Sequence, residues 1–243
     1  MEPTPSRRIE RKHPGERAAE ILAAARSIAL EDGLVAVTQR SVAARVGVAP
    51  TLITHYRSSM EQLVADTFRA VVAAELEEIR ALTDSGSARL RLQGFVRAAL
   101  DPARADVTAV WVDAWSLGRR NAPLASAVRE QADAWRGHAE TIVRNGIRAG
   151  AFADVDAADV AWLLIGLVDG LNAQSVVHDR HDPSSADVVI AAVEREVGLD
   201  AGRARAVRAQ TVPARPATLP EYPCTVAPEE GSSPSCASDP SLP

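Results

Sequence analysis

Several polar side chains fall close together in one short predicted helix, and they are Thr51, Thr54, His55 and Tyr56. Their hydroxyl, imidazole and phenol groups can hydrogen-bond to base edges and phosphates, and a threonine methyl can contact thymine. Ile53 of the same stretch can face inward. This pattern predicts a helix that presents a polar face to the major groove of DNA. The alternative is a corner of a helical core whose polar residues are only solvated.

A short helix and a tight turn must position that polar face. Thr38 can cap the first helix, and Gly47 follows its last apolar residue, where a helix commonly ends in a left-handed conformation. Pro50 suits the first position of the second helix, because its missing N–H would have no partner there. Residues 38–64 therefore predict a helix-turn-helix motif.

The flanks of this motif are basic. Arg40 and Arg45 lie in its first helix, Arg57 follows its second, and a basic arm covers residues 7–17. Residues 1–58 carry nine basic and six acidic side chains, a net charge of +3, whereas the whole chain of 243 residues carries −5. A basic end on an acidic body is oriented toward phosphates, and counterion release makes such binding sensitive to salt.

The arrangement resembles the TetR family of transcriptional regulators, over about residues 15–197. The run Ile53–Tyr56 is most similar to the BetI-type branch, as is the downstream pattern that includes Trp111–Trp115 and Leu167–Leu171. The resemblance implies a DNA-binding regulator, most often a repressor. Two positions depart from the family, because Arg57 stands where an aromatic residue is usual and Met60 where a lysine is usual.

These observations divide the expected DNA contacts into two groups. We expect Thr51, Thr54 and His55 to contact bases. We expect Arg40, Tyr56 and Arg57 to contact the DNA backbone. Because Met60 cannot replace a lysine at a phosphate, the backbone contacts should depend more on the arginines and on the basic arm.

Helical periodicity continues through the rest of the chain, and no convincing strand pattern interrupts it. The predicted helices cover residues 15–32, 59–83, 88–100, 104–119, 122–149, 157–178 and 184–197. The fold class is therefore all-α, with a three-helix head and a larger helical body. We expect a flexible basic arm (1–14), a DNA-binding head (15–58), an effector-binding and dimerisation body (59–199) and a Pro-rich disordered tail (200–243).

The body contains all of the tryptophans, which are Trp111, Trp115, Trp135 and Trp162. Because indole faces attract cations, we expect them to line a cavity for a small-molecule effector, with Asp169 or Asn172 as a polar group. The alternative is that these side chains only fill the core, which is natural in a chain with 4% aromatic residues.

Residues 157–178 and 184–197 present a broad apolar surface, and Gly166 and Gly170 allow close helix approach. Two copies would form a four-helix bundle about a two-fold axis. A homodimer of this kind holds two DNA-reading helices about one DNA turn, or a multiple of it, apart, which predicts a palindromic double-stranded operator. The alternative is one buried intramolecular helix.

Other classes of function have less support. The N-terminus has no apolar leader and no apolar run approaches the roughly 20 residues that span a bilayer, so we expect no membrane partner and a cytoplasmic location. The segment His178–Asp182 is interpreted as a solvated loop rather than a metal site, since it precedes Pro183. No nucleophile–base pair or phosphate loop indicates an enzyme, and no cofactor is expected. A helical module that regulates through a protein partner, without an effector, stays an alternative.

Overall fold

All regular elements in the described part of the chain are helices, which confirms the all-α prediction. The computed structural model describes residues 13–56, 59–178 and 184–199. The helices are α1 (Pro14–Asp32), α2 (Gln39–Val46), α3 (Pro50–Tyr56), α4 (Met60–Thr83), α5 (Ala88–Ala99), α6 (Ala105–Gly118), α7 (Ala122–Arg148), α8 (Ala157–His178) and α9 (Ser185–Glu196). A first 3₁₀ turn (Leu34–Ala36) follows α1, and a second (Pro102–Arg104) precedes α6.

The predicted helix-turn-helix begins and ends where its capping residues place it. The Thr38 hydroxyl accepts a hydrogen bond from Ser41 N at 3.1 Å, as an N-cap should. Gly47 has φ 74°, and its N–H donates to Ala43 O at 2.9 Å. The next amide, of Val48, donates to the same carbonyl at 3.0 Å. A left-handed glycine therefore ends α2 and turns the chain toward α3.

Helix α4 carries the apolar core from the head into the body. Ile21 and Ile28 of α1 and Ile53 of α3 are buried in one apolar cluster, and α1 contacts both α3 and α4. Further along α4, Phe68 and Ile79 are buried among residues of α5, α6 and α7. One continuous core therefore runs through the described residues, which all belong to the compact unit formed by residues 1–204.

Helix α8 corrects the expectation that no apolar run is long enough for a bilayer. Its segment Ala157–Val177, 21 residues, would suffice by length and composition alone. Only 28% of the most apolar 18-residue stretch in this segment is buried within the chain. Trp162 and Val177 are 59% and 77% exposed. One helix of this kind is weak evidence for a membrane span, because core helices of other proteins pass the same test of length and composition.

Several predictions concern residues outside the described ranges. These are most of the flexible arm, Arg57, the Pro-rich tail, and the segment His178–Asp182 apart from the backbone of its first residue. Within the described residues, no group of three or more His, Cys, Asp or Glu side chains is placed to hold a metal ion.

Candidate DNA-binding surface and effector cavity

The polar face of α3 is directed to solvent. Ile53 is fully buried, whereas Thr51, Thr54 and His55 are exposed and Tyr56 is half-buried. The Thr54 hydroxyl donates to Thr51 O at 3.0 Å, which leaves its oxygen able to accept a further hydrogen bond. The rings of His55 and Tyr56 meet edge to face, with centroids 5.3 Å apart. The structure thus brings together the four described α3 residues predicted to contact DNA.

Helix α2 supports α3 from one side. The Gln39 side-chain amide donates to Pro50 O at 2.8 Å, and this bond joins the first turns of the two helices. The hydroxyl of Ser41 donates to Ala36 O at 2.6 Å and ties α2 to the first 3₁₀ turn. Arg40 lies exposed on α2, between these two anchored residues. The α3 face is therefore held on a braced pair of helices.

Arg45 is placed differently from the prediction that it adds positive charge for phosphates. Its Nη2 lies 2.7 Å from Glu31 Oε2 and its Nη1 lies 2.9 Å from Glu31 Oε1. The hydrogen bonds from Arg45 lower the pKa of Glu31 to about 2. A bidentate pair of this kind has little remaining capacity for a phosphate. Arg45 therefore fastens α2 to α1.

The departure from the family at Met60 has a structural counterpart. Met60 begins α4 and packs, partly buried, against the core. Ser59 caps the helix, accepting a hydrogen bond from Gln62 N at 3.0 Å. The apolar side chain of Met60 therefore packs the start of α4 against the core. The charged group of a lysine at this position would extend to solvent.

The body contains a partly open aromatic cavity of about 50 Å³. Five of the six predicted effector residues line it, and they are Trp111, Trp115, Trp135, Asp169 and Asn172. The Trp111 ring lies edge to face with Trp135 at 6.4 Å between centroids, and 6.0 Å from Trp115. Trp111 also meets Phe68 of α4 edge to face at 4.9 Å. Trp111 and Trp135 also pack in or against the apolar core, and all three indoles form the cavity wall.

Trp162 does not line this cavity, contrary to expectation. It lies on α8 about one turn before Ile165, the first residue of that helix to reach the cavity. Its ring is 59% exposed, and the Arg136 guanidinium stacks on it with Cζ 4.1 Å from the centroid. Its surface position and this cation–π contact separate it from the other three indoles.

A second carboxylate, which the sequence analysis missed, also lines the cavity. Glu75 of α4 is only 7% exposed, and burial raises its pKa to about 7 despite Arg104 nearby. Partial desolvation at the cavity wall raises the pKa of Asp169 to about 6, against the opposing effect of Arg136, although the residue as a whole is exposed. The sequence did hold a signal, because Glu75 falls between the core residues Val72 and Leu76 of α4. An acidic residue on an apolar helix face is a common sign of a functional site.

The lining determines what the cavity can bind. Indole faces and carboxylates both attract positive charge. The lining therefore suits a small organic cation. The side-chain amide of Asn172 donates to Ala99 O at 3.0 Å, so its oxygen stays available as an acceptor. Ligand sites usually measure about 300–1,000 Å³, so a ligand of that size would fit only if this cavity widened.

Known proteins resemble this chain in both halves. Residues 21–67 match the model of the bacterial regulatory proteins of the tetR family, and residues 88–199 match that of the BetI-type transcriptional repressor, C-terminal. The HTH-type transcriptional regulator BetI of Rhizobium meliloti (strain 1021) is 27% identical over 184 residues, 74% of this chain and 87% of that protein.

Solved structures agree with this assignment. A TetR transcription regulator from Haloarcula marismortui superimposes with a TM-score of 0.64 at 18% identity, covering 76% of this chain and 98% of that one. A protein of Saccharomonospora viridis, solved in complex with choline, gives 0.63 at 24% identity, covering 76% and 96%. The two family models and the shared fold show that the chain belongs to the TetR family of DNA-binding transcriptional regulators, with a C-terminal part of BetI type.

Proposed function

We propose that this regulator is a cytoplasmic homodimer that represses from a palindromic operator and is released when a small organic cation enters the aromatic cavity. The observation that carries the proposal is the meeting of three indoles and two carboxyl groups, one of them the buried Glu75, in one cavity of a DNA-binding protein. The structural neighbour solved in complex with choline, an organic cation, supports the same chemistry.

The contacts with DNA follow from the face of α3. Thr51, Thr54 and His55 are exposed side by side and reach base edges. Tyr56, at the end of α3, and Arg40, on α2, border that face and contact the DNA backbone, as does Arg57 in our proposal. The head (15–58) is the DNA-binding domain, and the body (59–199) binds the effector and forms the dimer.

Dimerisation uses the exposed apolar face of α8 and α9. Trp162 and Leu163 of α8 and Val188 of α9 are 59%, 41% and 63% exposed. Apolar area of this extent on two adjacent helices is stabilised when a second copy covers it. An isologous pairing places the two heads on one side of the dimer, as a palindromic operator requires.

The effector acts by changing which state of the dimer is favoured. The cavity is too small for a drug-sized ligand, so binding must shift the helices that carry its lining, α4, α6, α7 and α8. Since α4 continues into the core of the head, such a shift alters head spacing. Only a state with a wider cavity binds the effector well, and its affinity for that state determines the release.

A direct test uses choline, because a structural neighbour was solved with it. Calorimetric titration should show binding to the wild-type protein and binding about tenfold or more weaker in Asp169→Asn, which keeps the shape of the side chain but removes its negative charge from the cavity wall. Glu77→Gln is the matched control, since this α4 carboxylate has a side chain that is 68% exposed. Equal affinity in all three proteins would contradict the cationic site. Absence of choline binding in the wild type would exclude choline as the effector.

A further inference from the structure

A second cavity opens on the surface beside the aromatic one. It measures about 360 Å³ and lies between α1, α4, α6 and the second 3₁₀ turn. Glu75 lines both cavities. The side chain of Glu75 is therefore part of the wall between the aromatic cavity and the surface cavity.

Arg104 covers this wall from the surface side. Its Nη1 lies 2.9 Å from Glu78 Oε2 and 4.0 Å from Glu75 Oε1, with 18% of its side chain exposed. Its carbonyl oxygen accepts from the hydroxyl of Thr108, at 3.1 Å, and Thr108 itself lines the aromatic cavity. Arg104 thus stands between the two cavities, held there by ion pairs that a rotation of its own side chain can break.

We infer that the surface cavity is the entrance through which the effector reaches the aromatic cavity, and that Arg104 is the gate, held closed by Glu75 and Glu78. The inference rests on the proposed effector role of the aromatic cavity. It gives Arg104, Glu75 and Glu78 a role that is separate from DNA binding and from dimerisation.

The charges of the entrance favour a cation. Four acidic side chains line it, with two arginines, so the formal charge of the set is −2 when all are ionised; the residues are Glu75, Glu78, Asp101, Asp106, Arg26 and Arg104. A lining of one predominant sign concentrates ions of the opposite sign. When the Arg104 side chain moves aside, an entering cation can replace it as the partner of Glu75. An anion would meet two arginines but twice as many carboxylates, so the entrance itself favours cations.

Fluorescence quenching tests the gate without any effector. Trp162→Phe removes the exposed indole, so that emission comes from the three cavity tryptophans. In this background, Arg104→Ala should raise the Stern–Volmer constant for acrylamide about two- to fivefold, the range expected for loss of a partly exposed ion pair. The cationic quencher N-methylpyridinium should gain more than acrylamide, because the variant makes the entrance more acidic.

Arg97→Ala is the matched control, since Arg97 forms a different interhelical pair, with Asp187 Oδ1 at 3.0 Å. It should leave quenching unchanged. Unchanged quenching in a folded Arg104→Ala protein would overturn the gate, and so would an equal rise in Arg97→Ala. If Arg104→Ala does not fold, Glu78→Gln removes the shorter pair from a side chain that is 66% exposed. That variant should give a smaller rise, and no rise would overturn the inference.

The quenching result is independent of the proposed function. If quenching rises in these variants but no compound releases DNA, the entrance is supported and the proposed effector response is contradicted. If an effector releases DNA but quenching is unchanged in these variants, the effector response is supported and the gate is contradicted.

Discussion

The carboxylate of Asp113 accepts a hydrogen bond from the backbone N–H of Leu34, with 2.8 Å between Oδ2 and N. This bond joins α6, which carries Trp111 and Trp115, to the first 3₁₀ turn, directly after α1. Gly33 precedes that turn with φ 84° and offers no side-chain cap. Asp113, which lies on α6, caps the turn instead. A movement of α6 would therefore act directly on the end of α1.

Removing this cap should destabilise the junction between head and body. Because Leu34 is buried, Asp113→Ala leaves its amide without an acceptor, at a cost of about 1–3 kcal/mol in the free energy of unfolding. Urea denaturation measures the loss. Asp113→Asn keeps an acceptor oxygen and should retain most of the stability. A wild-type free energy of unfolding in Asp113→Ala would show that the bond contributes nothing.

Glu75 should make stability depend on pH. Its pKa is raised by burial to about 7, with Asp106 and Glu78 adding to the rise and Arg104 opposing it. A raised pKa means that the folded state holds the proton more tightly. The resulting stability is complete below about pH 4.5, the ordinary value, and is lost as the pH rises through 7.

Comparison with Glu75→Gln isolates this effect. Between pH 5 and 8, the wild type should lose on the order of 3 kcal/mol of unfolding free energy relative to the variant, from the size of the pKa shift. Parallel urea denaturation across this range gives the difference. Glu77→Gln, at an exposed position, should run parallel to the wild type. A constant difference between wild type and Glu75→Gln would contradict the burial of an ionisable group there.

Two arginines of α2 should differ in their contribution to DNA binding. Arg40 is exposed beside the α3 face, so Arg40→Ala should reduce the slope of log affinity against log salt by about 1. Arg45 is engaged by Glu31, so Arg45→Ala should leave that slope nearly unchanged. Fluorescence anisotropy over a salt series gives both slopes. If the two variants reverse this order, Arg45 is the phosphate contact.

The exposed apolar face of α8 and α9 should hold the dimer together. Leu163→Glu combined with Val188→Glu places charges in the proposed interface and should give a monomer in sedimentation. Leu90→Glu is the control, because Leu90 is 61% exposed but lies on α5. Dissociation of the Leu90→Glu control, or a dimer that persists after the double substitution, would contradict an interface on α8 and α9.

Local signals were sufficient to predict most of the fold. Thr38 and Gly47 set the bounds of α2, and the apolar stripe from Leu63 to Leu76 indicated α4 to within one residue at its start. These features depend on neighbouring residues and on helical periodicity, which a sequence displays directly. The same holds for the outward face of α3 around the buried Ile53.

The site depends on contacts between distant residues, and here prediction was incomplete. Arg45 carries a charge of the expected sign, but its partner Glu31 lies on another helix. Asp113 and Leu34 are 79 residues apart, so no spacing rule connects them. Trp162 shares its residue type with the cavity indoles, yet it stacks on Arg136 at the surface. Side-chain type indicates what a residue can do, whereas tertiary packing determines what it meets.

A mobility-shift assay on the DNA upstream of the chain's own coding region, over a salt series, tests the central claim most directly. The wild-type protein should give a specific complex whose affinity falls steeply with salt. Thr54→Ala with His55→Ala should lose most of the preference for that DNA over an unrelated sequence while keeping the salt slope. Absence of a specific complex at low salt, or a preference unaffected by the double substitution, would contradict the assignment of α3 as the reader of the operator.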